Sequence, residues 1–210
     1  MPKHQKNIEL EFRAVVPIRL YNKLHRQLHQ RYTHKRTTRR LSVMFFGKVE
    51  NEQVDIRVRI TNGDAEVVVK RGRFGAHNRT EKSVPIKTNQ FLEFVRFFVA
   101  CGFTQTQHPG YIPKVAERFT HDFSDGKGTV LSLVRAGSIV YLEVERMSTI
   151  LQVPVNKQKV LKHLQDLKLK PINDKQFVTL CKKLSKQEDW TFRGTPNQHR
   201  RLAKLLREYI

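Results

Sequence analysis

The sequence predicts an α+β fold: an eight-stranded antiparallel β-barrel that forms a tunnel, with helices packed outside it and a helical C-terminal tail. Short segments alternate apolar and polar side chains with a period of two, which is typical of β-strands. Asn62-Gly63-Asp64 between two such segments is a strong signal for a tight hairpin turn. The polar positions of these segments are also sorted by the sign of their charge, which ordinary solvent-facing strands do not require.

The chain opens with one strand and one helix. Residues 8–16 alternate apolar and polar side chains and predict the first strand. Pro17 is suited to open a helix, and in the segment that follows a leucine recurs at every fourth position. The basic run HKRTTRR at 34–40 is interpreted as a turn that closes this helix.

Seven further strands complete the predicted barrel. They are expected at residues 41–46, 54–60, 65–70, 79–86, 111–123, 128–136 and 139–147. Between the fifth and sixth strands the period changes, and residues 88–103 predict an amphipathic helix.

The last part of the chain differs in kind from the rest. Residues 156–169, 174–186 and 195–210 predict three amphipathic helices. Residues 151–210 hold fourteen Lys and Arg against five Asp and Glu. We therefore divide the chain into a barrel domain at 1–150 and a basic helical tail at 151–210.

The composition narrows the function classes. The formal net charge is +21 and the sequence pI is about 10.4, so a polyanion such as RNA or polyphosphate is a natural partner. No run of apolar residues is long enough to span a membrane, and the first residues show no secretion signal. Cys101 and Cys181 are isolated thiols without the spacing of a disulfide scaffold or a zinc site. These features lead us to expect an intracellular, cytoplasmic protein without a membrane anchor.

Charged side chains repeat along the strands at two-residue spacing. The first strand carries Glu9, Glu11 and Arg13, and the last carries Glu143 and Glu145. If these faces point inward, the carboxylate pairs can hold a hard divalent cation through oxygen ligands. The basic positions between them can clamp the oxygens of a polyphosphate. These basic positions are Arg57, Arg59, Lys70, Lys114 and Arg118.

The same residues carry a resemblance to a known family. IELEFR at 8–13 resembles the Glu-x-Glu-x-Lys signature of the CYTH, or triphosphate tunnel metalloenzyme, superfamily. RVR at 57–59, VK at 69–70 and LEVE at 142–145 follow in the family's order, and the resemblance spans roughly residues 7–148. It implies an eight-stranded tunnel that uses Mg²⁺ or Mn²⁺ on triphosphate-containing substrates. Members include inorganic and thiamine triphosphatases, class IV adenylate cyclases and RNA 5′-triphosphatases.

The resemblance also implies roles for individual residues. The metal ligands would be Glu9, Glu11, Glu143 and Glu145. The phosphate-binding residues would be Arg13, Arg57, Arg59, Lys70, Lys114 and Arg118. The residues in catalytic roles would be Glu81, Glu143 and Glu145, with Asp122 as a weaker candidate to orient the metal or water.

The sequence departs from the family pattern at two positions besides the sixth strand, where Lys114 and Arg118 are spaced more widely than the tight basic pair common in the family. Arg13 stands where the signature has Lys, so a planar guanidinium group replaces a compact ammonium group and the positive charge is kept. Ser132 stands where many triphosphatases of the family carry Asp. This second departure leaves the identity of the substrate open.

Three functions remain as hypotheses. The leading one is a metal-dependent triphosphate hydrolase that acts on inorganic triphosphate, a nucleotide or an RNA 5′ end. A class IV-type adenylate cyclase and a polyphosphate- or RNA-binding module without turnover are the alternatives.

The basic exterior is either an RNA track or a solvated face, and the His25 and His29 pair is interpreted as surface. The oligomeric state is left open.

Overall fold

The computed structural model describes residues 8–50, 52–72, 80–104 and 112–210, and at Ile8 and Glu9 it describes the backbone only. The strands are β1 (Ile8–Val16), β2 (Thr33–Val49), β3 (Glu52–Thr61), β4 (Asp64–Arg71), β5 (Thr80–Ile86), β6 (Lys114–Ser124), β7 (Thr129–Ala136), β8 (Ile139–Ser148) and β9 (Trp190–Thr191). The helices are α1 (Tyr21–Arg31), α2 (Phe91–Ala100), α3 (Val153–Asp166), α4 (Asp174–Gln187) and α5 (Pro196–Leu206).

One sheet contains all nine of these strands, in the order β1-β8-β7-β6-β2-β3-β4-β5, with β9 paired to β6. Each strand pair whose register is defined is antiparallel. The prediction of an α+β fold built on eight antiparallel strands, with accompanying helices and a helical tail, is therefore confirmed.

The chain forms two compact units, each made of two segments. The first unit comprises Met1–Thr38 and Phe119–Cys181, and the second comprises Arg39–Arg118 and Lys182–Ile210. The boundary that we place near residue 150 on sequence grounds stays a prediction.

The core of the first unit lies on one face of its strands. Apolar residues at alternate positions of β1, β7 and β8 meet the buried residues of α1 and α3. Leu24 and Leu28 of α1 lie one helical turn apart, as do Val160 and Leu164 of α3, so each helix presents one apolar stripe to the sheet. The opposite face of the same strands carries the charged positions.

The second unit repeats this arrangement with different elements. Alternate residues of β2 and β3, including Phe45, Val58 and Ile60, are buried against α2 and α5. Phe91 and Val95 of α2 supply much of the contact from the helix side. The period-two pattern again sends the charged residues of β3 and β4 to the other face.

The structure corrects the interpretation of residues 34–40. This run belongs to the long strand β2, which begins at Thr33, and is not a turn. Paired threonines favour extended backbone, and alternation divides the arginines between the two faces of the strand. The short strand β9 also has no counterpart in the sequence-based prediction, because two residues are too few to show a period.

The hairpin signal at Asn62-Gly63 is confirmed. Both residues have positive φ, 50° and 93°, and they join the end of β3 to the start of β4. This is the backbone of a two-residue hairpin loop whose twist matches that of the strands.

Gly194, in the second unit, has no room for a side chain. Its φ is 70°, and a Cβ built there would lie 2.7 Å from Cγ1 of Val99. We expect Gly194→Ala to lower the free energy of unfolding by about 2–5 kcal/mol, because backbone strain and overpacking act together. Chemical denaturation of the purified variant measures this loss.

Gly63→Ala is the matched control, because Gly63 has φ 93° but no atom within 4 Å of the added Cβ. Strain alone predicts a smaller loss there, of about 1–2 kcal/mol. Equal losses of unfolding free energy in the two variants would show that the close contact with Val99 does not destabilise Gly194→Ala.

Four histidines gather beside α1 in the first unit, which the sequence did not predict. His25 Nε2 and His29 Nε2 are 3.2 Å apart, and the ring centroids of His25 and His121 are 4.2 Å apart. The His34 ring stacks on His29 at 5.1 Å. Burial, and then the neighbouring rings of His25, His34 and His29, lower the pKa of His121 to about 4.

This pKa shift predicts a pH dependence of stability. A histidine whose pKa is lower in the folded state is protonated first in the unfolded chain. The contribution of neutral His121 to the free energy of unfolding is therefore complete above pH ~6.5 and is lost as the pH falls toward about 4. We expect unfolding free energies measured across this window to fall more steeply for the wild type than for His121→Asn. Parallel pH profiles of the two proteins would contradict this assignment.

Candidate active site

The polar face of the first unit brings three of the expected acidic residues to β1 and β8. In the register of these strands Glu11 lies directly opposite Glu145, and Arg13 lies directly opposite Glu143. Like charges at directly opposed positions repel, so this face requires a cation. Glu9 lies opposite Met147, and its side chain is outside the described part of the structure.

Arg13 supplies the cation that this face requires. Its Nε donates to Glu143 Oε1 at 2.7 Å, and its guanidinium also forms an ion pair with Glu11. Burial by itself lowers the pKa of Arg13, but the carboxylates of Glu143 and Glu11 outweigh it and raise the pKa above its ordinary value. The guanidinium also lies 4.2 Å from the ring centroid of Phe177.

The row of paired residues continues across the sheet from Glu143. Ser132 of β7 lies opposite Glu143, and Asp122 of β6 lies opposite Ser132. Ser132 Oγ donates to Asp122 Oδ1 at 2.7 Å, and Arg36 Nε donates to Asp122 Oδ2 at 2.7 Å. The carboxylate that Ser132 contacts therefore lies on β6, the strand next to the serine.

The polar face of the second unit is rich in arginine and lysine. Arg57 donates two hydrogen bonds to the buried Asp55. Arg57 Nε lies 3.1 Å from Asp55 Oδ1, and a terminal nitrogen of Arg57 lies 2.6 Å from Asp55 Oδ2. Burial lowers the pKa of Arg57, but the charge and hydrogen bonds of Asp55 outweigh it and the net pKa is raised. Arg57 is thus held permanently cationic.

A second group joins β3, β4 and β5. Arg59 Nε donates to Glu66 Oε1 at 2.6 Å, and Lys70 Nζ lies 2.5 Å from Glu81 Oε2. A terminal nitrogen of Arg59 lies 3.6 Å from Glu81 Oε1. Burial by itself raises the pKa of Glu81. The positive charges of Lys70 and then Arg59 have a larger, opposite effect, so the net pKa lies below the ordinary value.

Lys114 and Arg118 meet at a carboxylate that sequence reasoning did not include in the site. Lys114 Nζ lies 2.9 Å from Asp189 Oδ2, and Arg118 donates to Asp189 Oδ1 at 2.8 Å. The side chain of Asp189 is 0% exposed. Asp189 lies 71 residues after Arg118 in the chain, so no local pattern could have indicated the contact.

The structure thus groups the expected site residues within each unit. In the first unit Arg13 joins Glu11 to Glu143, and Glu145 completes the face by register. In the second unit Lys70 and Arg59 both form ion pairs with Glu81, and Arg57 forms one with Asp55. Asp189 forms ion pairs with both Lys114 and Arg118. The sequence analysis assigned no role to four residues that contact these groups, namely Arg36, Asp55, Glu66 and Asp189.

The carboxylates of the first unit fit a hard divalent cation by the chemistry of their donor atoms. Glu11, Glu143 and Glu145 offer carboxylate oxygens on one face of two neighbouring strands, as Mg²⁺ and Mn²⁺ prefer. Within the described residues, no three Asp, Glu, His or Cys side chains are already gathered around a common metal position. Two of these carboxylates, Glu11 and Glu143, are paired with Arg13.

Solved structures share this fold. The PH1819 protein from Pyrococcus horikoshii OT3 matches with a TM-score of 0.60 and 14% identity, over 84% of this chain and 99% of that one. A conserved hypothetical protein from Pyrococcus furiosus matches with a TM-score of 0.56 and 15% identity, over 77% and 91%. A protein from Vibrio parahaemolyticus, named "putative adenylate cyclase", matches with a TM-score of 0.55 and 12% identity, over 82% and 98%.

At these identities the likeness establishes a common fold. No family model and no curated protein sequence matches the chain. Among the helices of the described residues, none has the length and apolar character needed to cross a membrane.

The Asp189 cluster makes a testable contribution to stability. Burial raises the pKa of Asp189, but the hydrogen bond and charge of Arg118, and then Lys114, outweigh it and lower the net pKa. We expect Asp189→Asn to lower the free energy of unfolding at pH 7 by about 3–5 kcal/mol, because it leaves two largely buried cations without their anion. Urea denaturation of the two proteins measures the difference.

The stability difference between the wild type and Asp189→Asn also depends on pH. Because the folded pKa of Asp189 is depressed, the advantage of the wild type is present above the ordinary aspartate pKa and is lost as the pH falls through the folded value. Glu208→Gln is the control, since Glu208 forms an exposed ion pair at 3.9 Å in the same unit. A loss for Asp189→Asn no larger than that of the control would contradict a role for Asp189 as an anchor.

Proposed function

We propose that this chain is a metal-dependent phosphohydrolase of the CYTH superfamily that acts on a triphosphate group. Inorganic triphosphate, a nucleoside triphosphate and the 5′-triphosphate end of RNA are the candidate substrates. The proposal is supported by the shared fold, by the order of charged motifs along the strands and by the charges that line the two polar faces.

The observation that carries the proposal is the sorting of charge between these faces. The face of the first unit concentrates carboxylates at Glu11, Glu143 and Glu145. In the second unit, arginine and lysine side chains of β3, β4 and β6 are each paired with a carboxylate; they are Arg57, Arg59, Lys70, Lys114 and Arg118. Carboxylates suit a hard cation and guanidinium groups suit phosphate oxygens, so the chain carries both partners of a metal–triphosphate complex.

The residues divide the work in this proposal. Glu9, Glu11, Glu143 and Glu145 would hold Mg²⁺ or Mn²⁺, and Glu81 would orient the metal or the water. The phosphate oxygens would be bound by Arg13, Arg57, Arg59, Lys70, Lys114 and Arg118. When bound, the divalent ion would supply charge neutralisation at the terminal phosphoryl group. The cations would hold the phosphate chain in line for attack by water.

Adenylate cyclase is the second candidate, because the Vibrio parahaemolyticus protein that shares the fold is named for that activity. The two reactions differ in their products. Hydrolysis of the terminal phosphoryl group of ATP releases orthophosphate and ADP, whereas cyclisation releases pyrophosphate and cyclic AMP.

Product analysis with tripolyphosphate, ATP and 5′-triphosphate RNA tests the proposal. We expect orthophosphate release that requires Mg²⁺ or Mn²⁺ and stops when EDTA is added. In Glu9→Ala/Glu11→Ala we expect the rate to fall by about 100-fold or more, since loss of even a second-layer partner of a metal ligand lowers activity by 10–100-fold. The substrate that is hydrolysed fastest would identify which of the three candidates the site prefers.

Glu50→Ala/Glu52→Ala is the matched control, because it removes the same two charges from exposed positions beside Arg71. The control should retain the wild-type rate. Pyrophosphate and cyclic AMP as the products from ATP would favour the cyclase. Retention of the polyphosphates by folded protein without any turnover would leave only the binding module.

A further inference from the structure

Arg36 of β2 presents an unusual combination of anchoring and exposure in the first unit. Its Nε donates to Asp122 Oδ2 at 2.7 Å, yet its side chain is 67% exposed. Asp122, by contrast, has a side chain that is only 10% exposed. An exposed guanidinium is therefore tethered at one atom to a largely buried carboxylate.

Asp122 is itself held in place from the opposite side. Ser132 Oγ donates to Asp122 Oδ1 at 2.7 Å, so each carboxylate oxygen of Asp122 accepts one defined hydrogen bond. Ser132 and Asp122 lie directly opposite each other on neighbouring strands. This geometry fixes the plane of the carboxylate, and the carboxylate in turn fixes the direction of Arg36.

Other arginines on the polar faces are engaged more completely. Arg13 bridges two carboxylates, and Arg57 gives both Nε and a terminal nitrogen to Asp55. Arg118 uses both terminal nitrogens on Asp189. For Arg36 the tether uses Nε alone, and its two terminal nitrogens donate to no residue within 8–50, 52–72, 80–104 or 112–210. The forked end of the guanidinium is thus available for an oxyanion.

We infer that Arg36 binds a phosphate group of the substrate, and that Asp122 and Ser132 are the positioning residues that aim it. The inference rests on the proposed function, which it extends with a phosphate contact that the sequence did not indicate. The serine that departs from the family pattern then has a role in this chain: it orients the carboxylate that β6 supplies. Arg36 donates to Asp122, which lies in one row with Ser132 and Glu143, so the phosphate would be bound on the carboxylate-bearing face of the first unit.

Equilibrium binding of tripolyphosphate to the full chain, with EDTA present so that no turnover occurs, tests the inference by calorimetry. We expect Arg36→Gln to weaken binding about 10-fold, in line with the loss of a charge-assisted bidentate contact. Arg36→Lys should recover only part of this affinity, because a lysine cannot present the fork. Arg26→Gln is the matched control, since it removes one exposed positive charge from α1 in the same unit.

Asp122→Asn separates positioning from simple charge attraction. This substitution makes the protein more positive, so attraction alone predicts tighter binding of tripolyphosphate. Loss of the anchor predicts weaker binding, and we expect about a 3- to 10-fold loss, with a smaller loss for Ser132→Ala. Thermal unfolding of each variant confirms that it is folded at the temperature of the titration.

The outcomes distinguish this inference from the proposed function. Equal affinities for wild type, Arg36→Gln and Arg26→Gln would overturn the role of Arg36, whether or not the chain hydrolyses tripolyphosphate. Unchanged or tighter binding by Asp122→Asn would overturn the positioning role. If Arg36→Gln weakens binding while the wild type releases no phosphate, the phosphate contact stands and the hydrolase fails. If hydrolysis occurs, the inference requires a raised KM in Arg36→Gln.

Discussion

Charges on the polar faces of this protein must be neutralised inside the chain. Largely buried guanidinium and carboxylate groups lose the solvation of water and regain it only through close pairing. This constraint explains why Arg13, Arg57 and Arg118 each have a carboxylate within hydrogen-bonding distance. It also explains why like-charged neighbours such as Glu11 and Glu145 are tolerated, since Arg13 lies beside them.

The same pairing determines how a ligand could bind. A phosphate group that approaches Arg118 must compete with Asp189, and a metal that approaches Glu143 must compete with Arg13. Under the proposed function, binding on these faces would be an exchange of partners, in which one ion pair replaces another. Such exchanges give modest net energies but strict requirements for geometry and charge. Arg36 differs because its tether leaves the terminal nitrogens outside the pair.

Much of the fold could be predicted from local patterns. Alternation identified the main strands, and the Asn62-Gly63 turn follows from backbone conformations that few residue types adopt. The run at 34–40 was misread because its charge and lack of apolar residues resemble a loop, whereas its extended form depends on pairing with neighbouring strands. β9 could not be predicted at all, since two residues show no period.

The sequence by itself determined which side chains share a face, because a strand alternates its side chains regardless of its neighbours. It thereby placed Glu11 with Arg13 on one face of β1, and Glu143 with Glu145 on one face of β8. Only the tertiary structure decided which charge pairs with which. Asp189 reaches Arg118 across 71 residues of the chain, and Ser132 reaches Asp122 through the register of β6 and β7. Partner choice depends on distances of a few ångströms between segments remote in sequence, and no local pattern contains that information.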